Sequence, residues 1–289
     1  MHLTGAVIRP PSEADSILIQ ATLGCSHNKC AFCGAYKDKP FRVVPEADVD
    51  AALDFAAAYC RRQRRVFLCD GDAMVLSMGR LTRLLARIRE RLPFVTRVSA
   101  YANAKSLRTK SVDELAALRA LGLHTLYMGL ESGDQDTLSA MNKADAACDI
   151  VAAGQKVRRA GLRLSVTVLL GLAGTGRSRI HAEGTGAALT EMDPDQAAAL
   201  TLMLVPGTPL FADWKAGRFV LPDAAGMLAE LAVLLQRTTH SRGHFLANHA
   251  SNFLPLKLRL PRDKETALAL IGRALDGDVP LRPDHVRAL

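Results

Sequence analysis

At 289 residues, 49% of them hydrophobic, the chain is long enough to bury a large core as one α/β domain with an appendage. No uninterrupted apolar run approaches a bilayer's thickness, which excludes a membrane span, and six scattered cysteines exclude a disulfide scaffold. Nothing from Met1 to Pro10 has the long apolar core of a secretion signal, which points to the cytoplasm, and the net charge of +8 permits an anionic partner without requiring one.

In chain order, strand-like apolar runs cover 16–22, 66–70, 97–101, 125–130, 162–170 and 198–204. Helical patterns between them cover 46–60, 79–91, 112–121, 145–160 and 178–191, several opening on a capping residue or an acidic first turn. Strands separated by crossover helices argue for parallel pairing, in a doubly wound or a barrel-like sheet. Val205-Pro-Gly-Thr-Pro-Leu210 makes a turn-rich exit from the sixth strand, 222–237 reads as one more helix, and 238–289 carries few strand signals. The basic run Arg61, Arg62, Arg64, Arg65 falls where a helix ends, and cations there complement the helix dipole.

Directly after the first strand comes Gly24-Cys-Ser-His-Asn-Lys-Cys-Ala-Phe-Cys-Gly34, which puts Cys25, Cys30 and Cys33 in one short loop. Three thiolates can hold three irons of a [4Fe-4S] cluster and leave the fourth iron open, since a closed cluster takes four. A zinc knuckle wants a fourth Cys or His at finger-like spacing, and His27 inside the loop brings no second pair. Cys60, Cys69 and Cys148 stand alone and read as small buried apolar residues.

With Phe32 just before its third cysteine, this loop resembles the cluster loop of the radical S-adenosylmethionine (radical SAM) superfamily, lengthened from CxxxCxxC to CxxxxCxxC. A bulge absorbs the extra residue without parting the thiolates. The resemblance implies a six-stranded partial (β/α) barrel over 1–210, with the cluster loop after its first strand. A helical or irregular C-terminal extension over 211–289 would close that barrel.

In a parallel α/β sheet, ligands gather at the carboxyl ends of the strands. Asp70-Gly71-Asp72-Ala73 after the second strand resembles the superfamily's Gly-Gly-Glu segment, which implies that Gly71 and Asp72 meet the methionine amino group of SAM; Asp-Gly is also a common turn signal. On the third strand, alternation puts Ser99, Tyr101 and Asn103 on one face and suggests a polar-lined cavity. After the fourth strand, Glu131 and then Lys143 resemble the oxygen-independent coproporphyrinogen oxidase branch and its relatives, including the Elongator catalytic subunit. In that branch a polar residue meets SAM and a later basic residue meets its carboxylate; as a plainer alternative, Glu131 caps the next helix. The fifth strand ends in Gly171-Leu172-Ala173-Gly174, similar to the branch's Gly-Leu-Pro-Gly, which puts Leu172 and its flanking backbone against the adenine. Phe32 packs near the same ring by resemblance. Thr167 stands where the branch has an acidic residue on the ribose.

The resemblance implies an enzyme that cleaves SAM reductively and abstracts hydrogen from a small-molecule substrate not named by the sequence. Its electron comes from a one-electron donor such as flavodoxin or ferredoxin. Alternatives are a haem-binding chaperone related to coproporphyrinogen oxidase, and an RNA-modifying protein suggested only by the positive charge and the Elongator-like strand motifs. In the tail, His244, Asn248 and His249 lie in a stretch rich in His, Asn and Arg. They are candidates to face a polar substrate, with proton transfer available to histidine, unless the stretch merely packs the tail.

Overall fold

The computed structural model describes residues 3–240 and 242–288. Its elements follow the strand and helix alternation of the sequence. They begin with β1 (Ile17–Ile19), β2 (Thr22–Leu23), β3 (Arg42–Val43), α1 (Glu46–Tyr59), β4 (Arg65–Leu68), α2 (Met78–Arg91), β5 (Arg97–Ala102), α3 (Ala104–Arg108), α4 (Val112–Ala120) and β6 (Leu123–Glu131). There follow α5 (Gln135–Ala140), α6 (Ala147–Arg159), β7 (Arg163–Leu170), α7 (Gly174–Met192), β8 (Gln196–Thr201), α8 (Pro209–Lys215), α9 (Ala224–Arg237), β9 (Gly243–Leu246), β10 (Lys257–Leu260) and α10 (Lys264–Leu275). The main sheet has eight strands in the order β1-β4-β5-β6-β7-β8-β9-β10. β1, β4, β5 and β6 pair in parallel, as do β7, β8 and β9, and β10 runs antiparallel to β9.

Local sequence explains the helices. Ser77 caps α2, whose buried stripe is Leu81, Leu84, Leu85 and Ile88 and whose last turn carries Arg89 and Arg91 against the dipole. Ser111 and Glu114 form a reciprocal capping box on α4. Along α1, Glu46, Asp50 and Asp54 face Arg83, Arg87 and Arg91 of α2. In β7, Leu164, Val166, Val168 and Leu170 are buried.

The chain divides into two compact units. One takes the chain up to Asn28, Ala35–Met128 and Lys156–Leu164; the other takes Lys29–Gly34, Gly129–Gln155 and the chain from Ser165 on. In the first, Leu18, Phe67, Cys69 and Tyr127 make a core against which Tyr101 packs, the three aromatic rings meeting edge to face. In the second, Met141, Leu172, Leu202 and Leu210 form a buried cluster that includes Phe32 and Leu169 at its margin.

Several expectations need correction. The 238–289 stretch is not merely helical or irregular: Phe245 fills a buried position on β9, and β9 extends the parallel sheet beyond β8. Its strands, of four residues each, lie in a stretch rich in His, Asn and Arg rather than in an apolar run. The face carrying Ser99 and Tyr101 is not simply polar, since Tyr101 joins the aromatic core. Cys69 is buried as expected, but Cys60 is only half-buried and Cys148 is exposed. Arg61, Arg64 and Arg65 donate to the carbonyls of Ala57, Phe94 and Ser12, so part of the basic run serves chain ends and turns. Among the described residues, no helix is long and apolar enough to cross a membrane.

Candidate active site

In the first unit, the end of β4 is tied to the residue that precedes Cys25. Asp70, fully buried and left-handed at φ 69°, accepts the Gly24 N–H at 2.9 Å and pairs with Lys39 Nζ at 3.0 Å. Gly71 N–H donates back to the Gly24 carbonyl at 2.9 Å. A Cβ on Gly71 would lie 2.8 Å from Cys25 Cβ, so only glycine lets the two segments approach so closely. Asp70, read in the sequence as part of a motif, is therefore a structural clasp.

Asp72 is the group that points elsewhere. Its Oδ2 accepts from Ser26 Oγ and from Asn103 Nδ2, each at 2.7 Å, while its buried Oδ1 has no partner. Desolvation pushes the Asp72 carboxyl above its ordinary range, against the lowering effect of hydrogen bonds from Ser26, Ser106 and Asn103. Asn103 also orders the backbone, since its Oδ1 accepts the Ser106 N–H and caps α3. Ser99 Oγ, also buried, lacks a partner too. Lys110 is nearly fully buried and donates to the Met74 carbonyl at 2.6 Å. A cavity of about 400 Å³ in this unit is lined by Leu18, Gln20, Leu23, Arg42, Asp48 and Phe55, and the Gln20 amide reaches Asp70.

In the second unit, Ala31 N–H donates to the Met141 carbonyl and the Leu210 N–H donates to the Ala31 carbonyl, which pins the stretch holding Cys30 and Cys33. Asn142 Nδ2 holds the Lys29 carbonyl at 3.0 Å. Phe32 and Leu172, both expected beside the adenine, share one apolar cluster. Glu131, left-handed at φ 63°, forms an ion pair with Lys143 at 3.0 Å. The cap of α5 is Asp134 rather than Glu131, since its side chain accepts the Thr137 N–H. Thr167 is half-buried on β7, level with Ala198 of β8.

The tail residues are not drawn into one constellation. His244 on β9 accepts from Arg259 Nε at 3.3 Å, Asn248 is exposed, and His249 Nδ1 meets Ser251 Oγ at 2.9 Å. Burial, and then the nearby charge of Arg282, lower the His249 pKa. The structure also engages Ser26, Lys39, Ser132, His181 and Glu230 in buried or half-buried polar contacts. The sequence signal for Ser26 is its place inside the cysteine loop and for Ser132 its place directly after Glu131; Lys39, His181 and Glu230 carry no local motif.

The chain belongs to the radical SAM superfamily, whose family model, described as Radical SAM superfamily, matches residues 19–182. Members of that superfamily are enzymes. A Bos taurus relative, "Radical S-adenosyl methionine domain-containing protein 1, mitochondrial", is 28% identical over 242 residues, covering 78% of this chain and 52% of the relative. The chain thus spans about half the length of that curated relative. Coproporphyrinogen III oxidase (HemN) from Escherichia coli, a radical SAM enzyme, superposes with a TM-score of 0.56 at 20% identity, over 77% of this chain and 52% of that one. Elp3 from Methanocaldococcus infernus superposes with a TM-score of 0.52 at 12% identity, over 80% of this chain and 60% of that one. At such identities the likeness speaks for the fold.

The superfamily's groups, a [4Fe-4S] cluster and SAM, can be tested against the residues present. None of the three loop cysteines is in a disulfide, and all three are half-buried. Among the described residues, no three His, Cys, Asp or Glu side chains, those of the cysteine loop included, are grouped so as to hold a metal ion. The unpartnered Asp72 Oδ1 is the stronger test. A buried carboxylate oxygen without a donor costs free energy, and an ammonium group would satisfy it. Thiols are the donors that a [4Fe-4S] cluster takes, and the orphaned oxygen fits an ammonium group.

Proposed function

We propose that Cys25, Cys30 and Cys33 hold three irons of a [4Fe-4S] cluster whose fourth iron takes SAM, and that the chain abstracts hydrogen from a small-molecule substrate. The observation that carries this reading is the buried Asp72 carboxylate, aimed by Ser26 and Asn103 and left with one acceptor oxygen for the methionine ammonium. Once bound, the two groups would supply one-electron chemistry for hydrogen abstraction.

The chain's residues then have distinct roles. Asp72 accepts from the ammonium, Gly71 leaves the space in which that end approaches Cys25, and Asn103 and Ser26 hold Asp72 in one rotamer. Ser99 Oγ offers a further buried hydrogen bond. Lys143 neutralises Glu131 and supplies cationic charge for the SAM carboxylate, while Glu131 and the Thr167 hydroxyl serve the ribose. Phe32 and Leu172 give the adenine an apolar surface and exclude water. His244, Asn248 and His249 face the substrate, and residues 211–289 close the core over 1–210. The electron comes from a flavodoxin or ferredoxin type of donor, and the setting is cytoplasmic.

The test is anaerobic reconstitution followed by titration with SAM, using the cluster's electron paramagnetic resonance signal and deoxyadenosine release as readouts. A signal perturbed by SAM, and deuterium passing from a candidate substrate into deoxyadenosine, are the expected results. Zinc in place of iron, or a cluster indifferent to SAM, would contradict the reading.

A further inference from the structure

A buried polar chain in the second unit belongs to none of the groups assigned above. Glu230 on α9 has a fully buried carboxylate, yet it lies outside the segment matched by the family model. Its Oε1 accepts the Gly171 N–H at 2.5 Å, and its Oε2 accepts the Ser178 hydroxyl near the start of α7. His181 Nε2 lies 3.3 Å from the same Oε1 and 3.0 Å from the Leu169 carbonyl. The other ring nitrogen, Nδ1, is 2.7 Å from Ser132 Oγ, and Ser132 immediately follows Glu131 at the end of β6. Two acceptors, Glu230 Oε1 and the Leu169 carbonyl, face Nε2, which therefore carries a hydrogen and donates. Ser132, His181 and Glu230 are each at most 2% exposed.

A buried carboxylate is expensive unless it is fully partnered, so the fold does not retain one for packing alone when a leucine would fill the volume. What Glu230 gains over leucine is the hold on Gly171. That residue opens Gly171-Leu172-Ala173-Gly174 in a left-handed conformation, φ 82°, and its N–H is held by the Glu230 carboxylate. The His181 and Ser132 links carry the same hold to the backbone beside Glu131. One network thus fixes the ends of both β6 and β7.

We infer that Glu230 is a positioning residue for SAM, acting through Gly171 and, by way of His181 and Ser132, through the segment that carries Glu131. This rests on the reading that the ends of β6 and β7 take the ribose and adenine. The C-terminal part of the chain would then help to set cofactor affinity through a side chain that touches no cofactor atom.

The experiment uses the full chain, reconstituted anaerobically, as wild type and as the variants Glu230→Ala, Glu230→Gln, Ser132→Ala and Leu231→Ala. Iron content, melting temperature and the SAM dissociation constant by calorimetry are measured for each. Loss of one oriented buried hydrogen bond predicts about a tenfold weaker SAM affinity in Glu230→Ala at unchanged iron content. Glu230→Gln, which keeps an acceptor for the Gly171 N–H, should stay within about twofold, and Ser132→Ala should weaken binding by about threefold. Leu231→Ala, a buried neighbour without polar contacts, should melt earlier and bind SAM as wild type does. Wild-type affinity in Glu230→Ala would overturn the inference, as would affinities that track melting temperature across all variants. Should Glu230→Ala not fold, Ser132→Ala decides, and wild-type affinity there counts against it. A wild-type protein that ignores SAM defeats the functional reading first, and this inference with it.

Discussion

Two aspartates separated by one glycine do different work. Asp70 is spent on structure, holding Gly24 and Lys39, whereas Asp72 keeps an oxygen in reserve. Replacing Lys39 with Met should therefore destabilise the fold, because Asp70 would keep a buried charge without its counterion. Breaking such a pair costs about 3 kcal/mol, seen as a lower denaturant midpoint. Asp72→Asn should fold as well as wild type and take up iron normally, but should bind SAM at least about tenfold more weakly, since an amide is a poorer partner for an ammonium than a carboxylate. Titration calorimetry checks this, and equal affinity would remove Asp72 from the cofactor site. Each of Cys25→Ala, Cys30→Ala and Cys33→Ala should lose both the cluster and deoxyadenosine formation. Retained SAM cleavage in any one of the three would free that cysteine from the role.

At the scale of the element, two helix caps of similar local chemistry separate stability from function. Ser111 caps α4 through its own helix, while Asn103 caps α3 and also holds Asp72. Ser111→Ala and Asn103→Ala should each cost about 1 kcal/mol of stability. Only Asn103→Ala should also weaken SAM binding, because Asp72 loses a donor that holds its carboxyl at 2.7 Å. A matched loss of SAM affinity in both variants would show that the effect is general loosening. The same contrast explains what sequence could reveal. Cap patterns and alternating apolar residues are local, so the six strand-helix repeats and the cysteine loop were legible directly. The partners of Asp72 come from a loop 46 residues upstream and a strand end 31 downstream, and no spacing rule announces that meeting. Glu230 was illegible for the same reason: it reads as an ordinary polar residue of an amphipathic helix until the fold sets it against Gly171.

For the whole molecule, the chain beyond α9 moves the edge of the sheet from β8 out to β10. Without it, β8 would present unpaired backbone to solvent, and such edges invite pairing with other chains. β9 covers that edge, with Phe245 fully buried, and β10 adds Leu258 and Leu260. A polar clasp fastens the same region: the Thr201 N–H donates to Ser251 Oγ, the Thr201 hydroxyl to Asn252 Oδ1, and Asn252 Nδ2 to the Ala199 carbonyl. Arg282 binds the carbonyls of His249, Ala250 and Asn252, and Arg287 lies over the Phe253 ring. Composition could not reveal this clasp, because its anchors are isolated polar residues spread along the tail. A chain ended after Arg237 should consequently aggregate at concentrations where the full chain stays dispersed. Burial of Phe245, Leu256, Leu258 and Ile271 would be lost together, at about 2 kcal/mol each. Light scattering and denaturant unfolding of the two chains measure this directly. A dispersed truncated chain with wild-type stability would show that β8 tolerates an open edge and that the tail is an appendage.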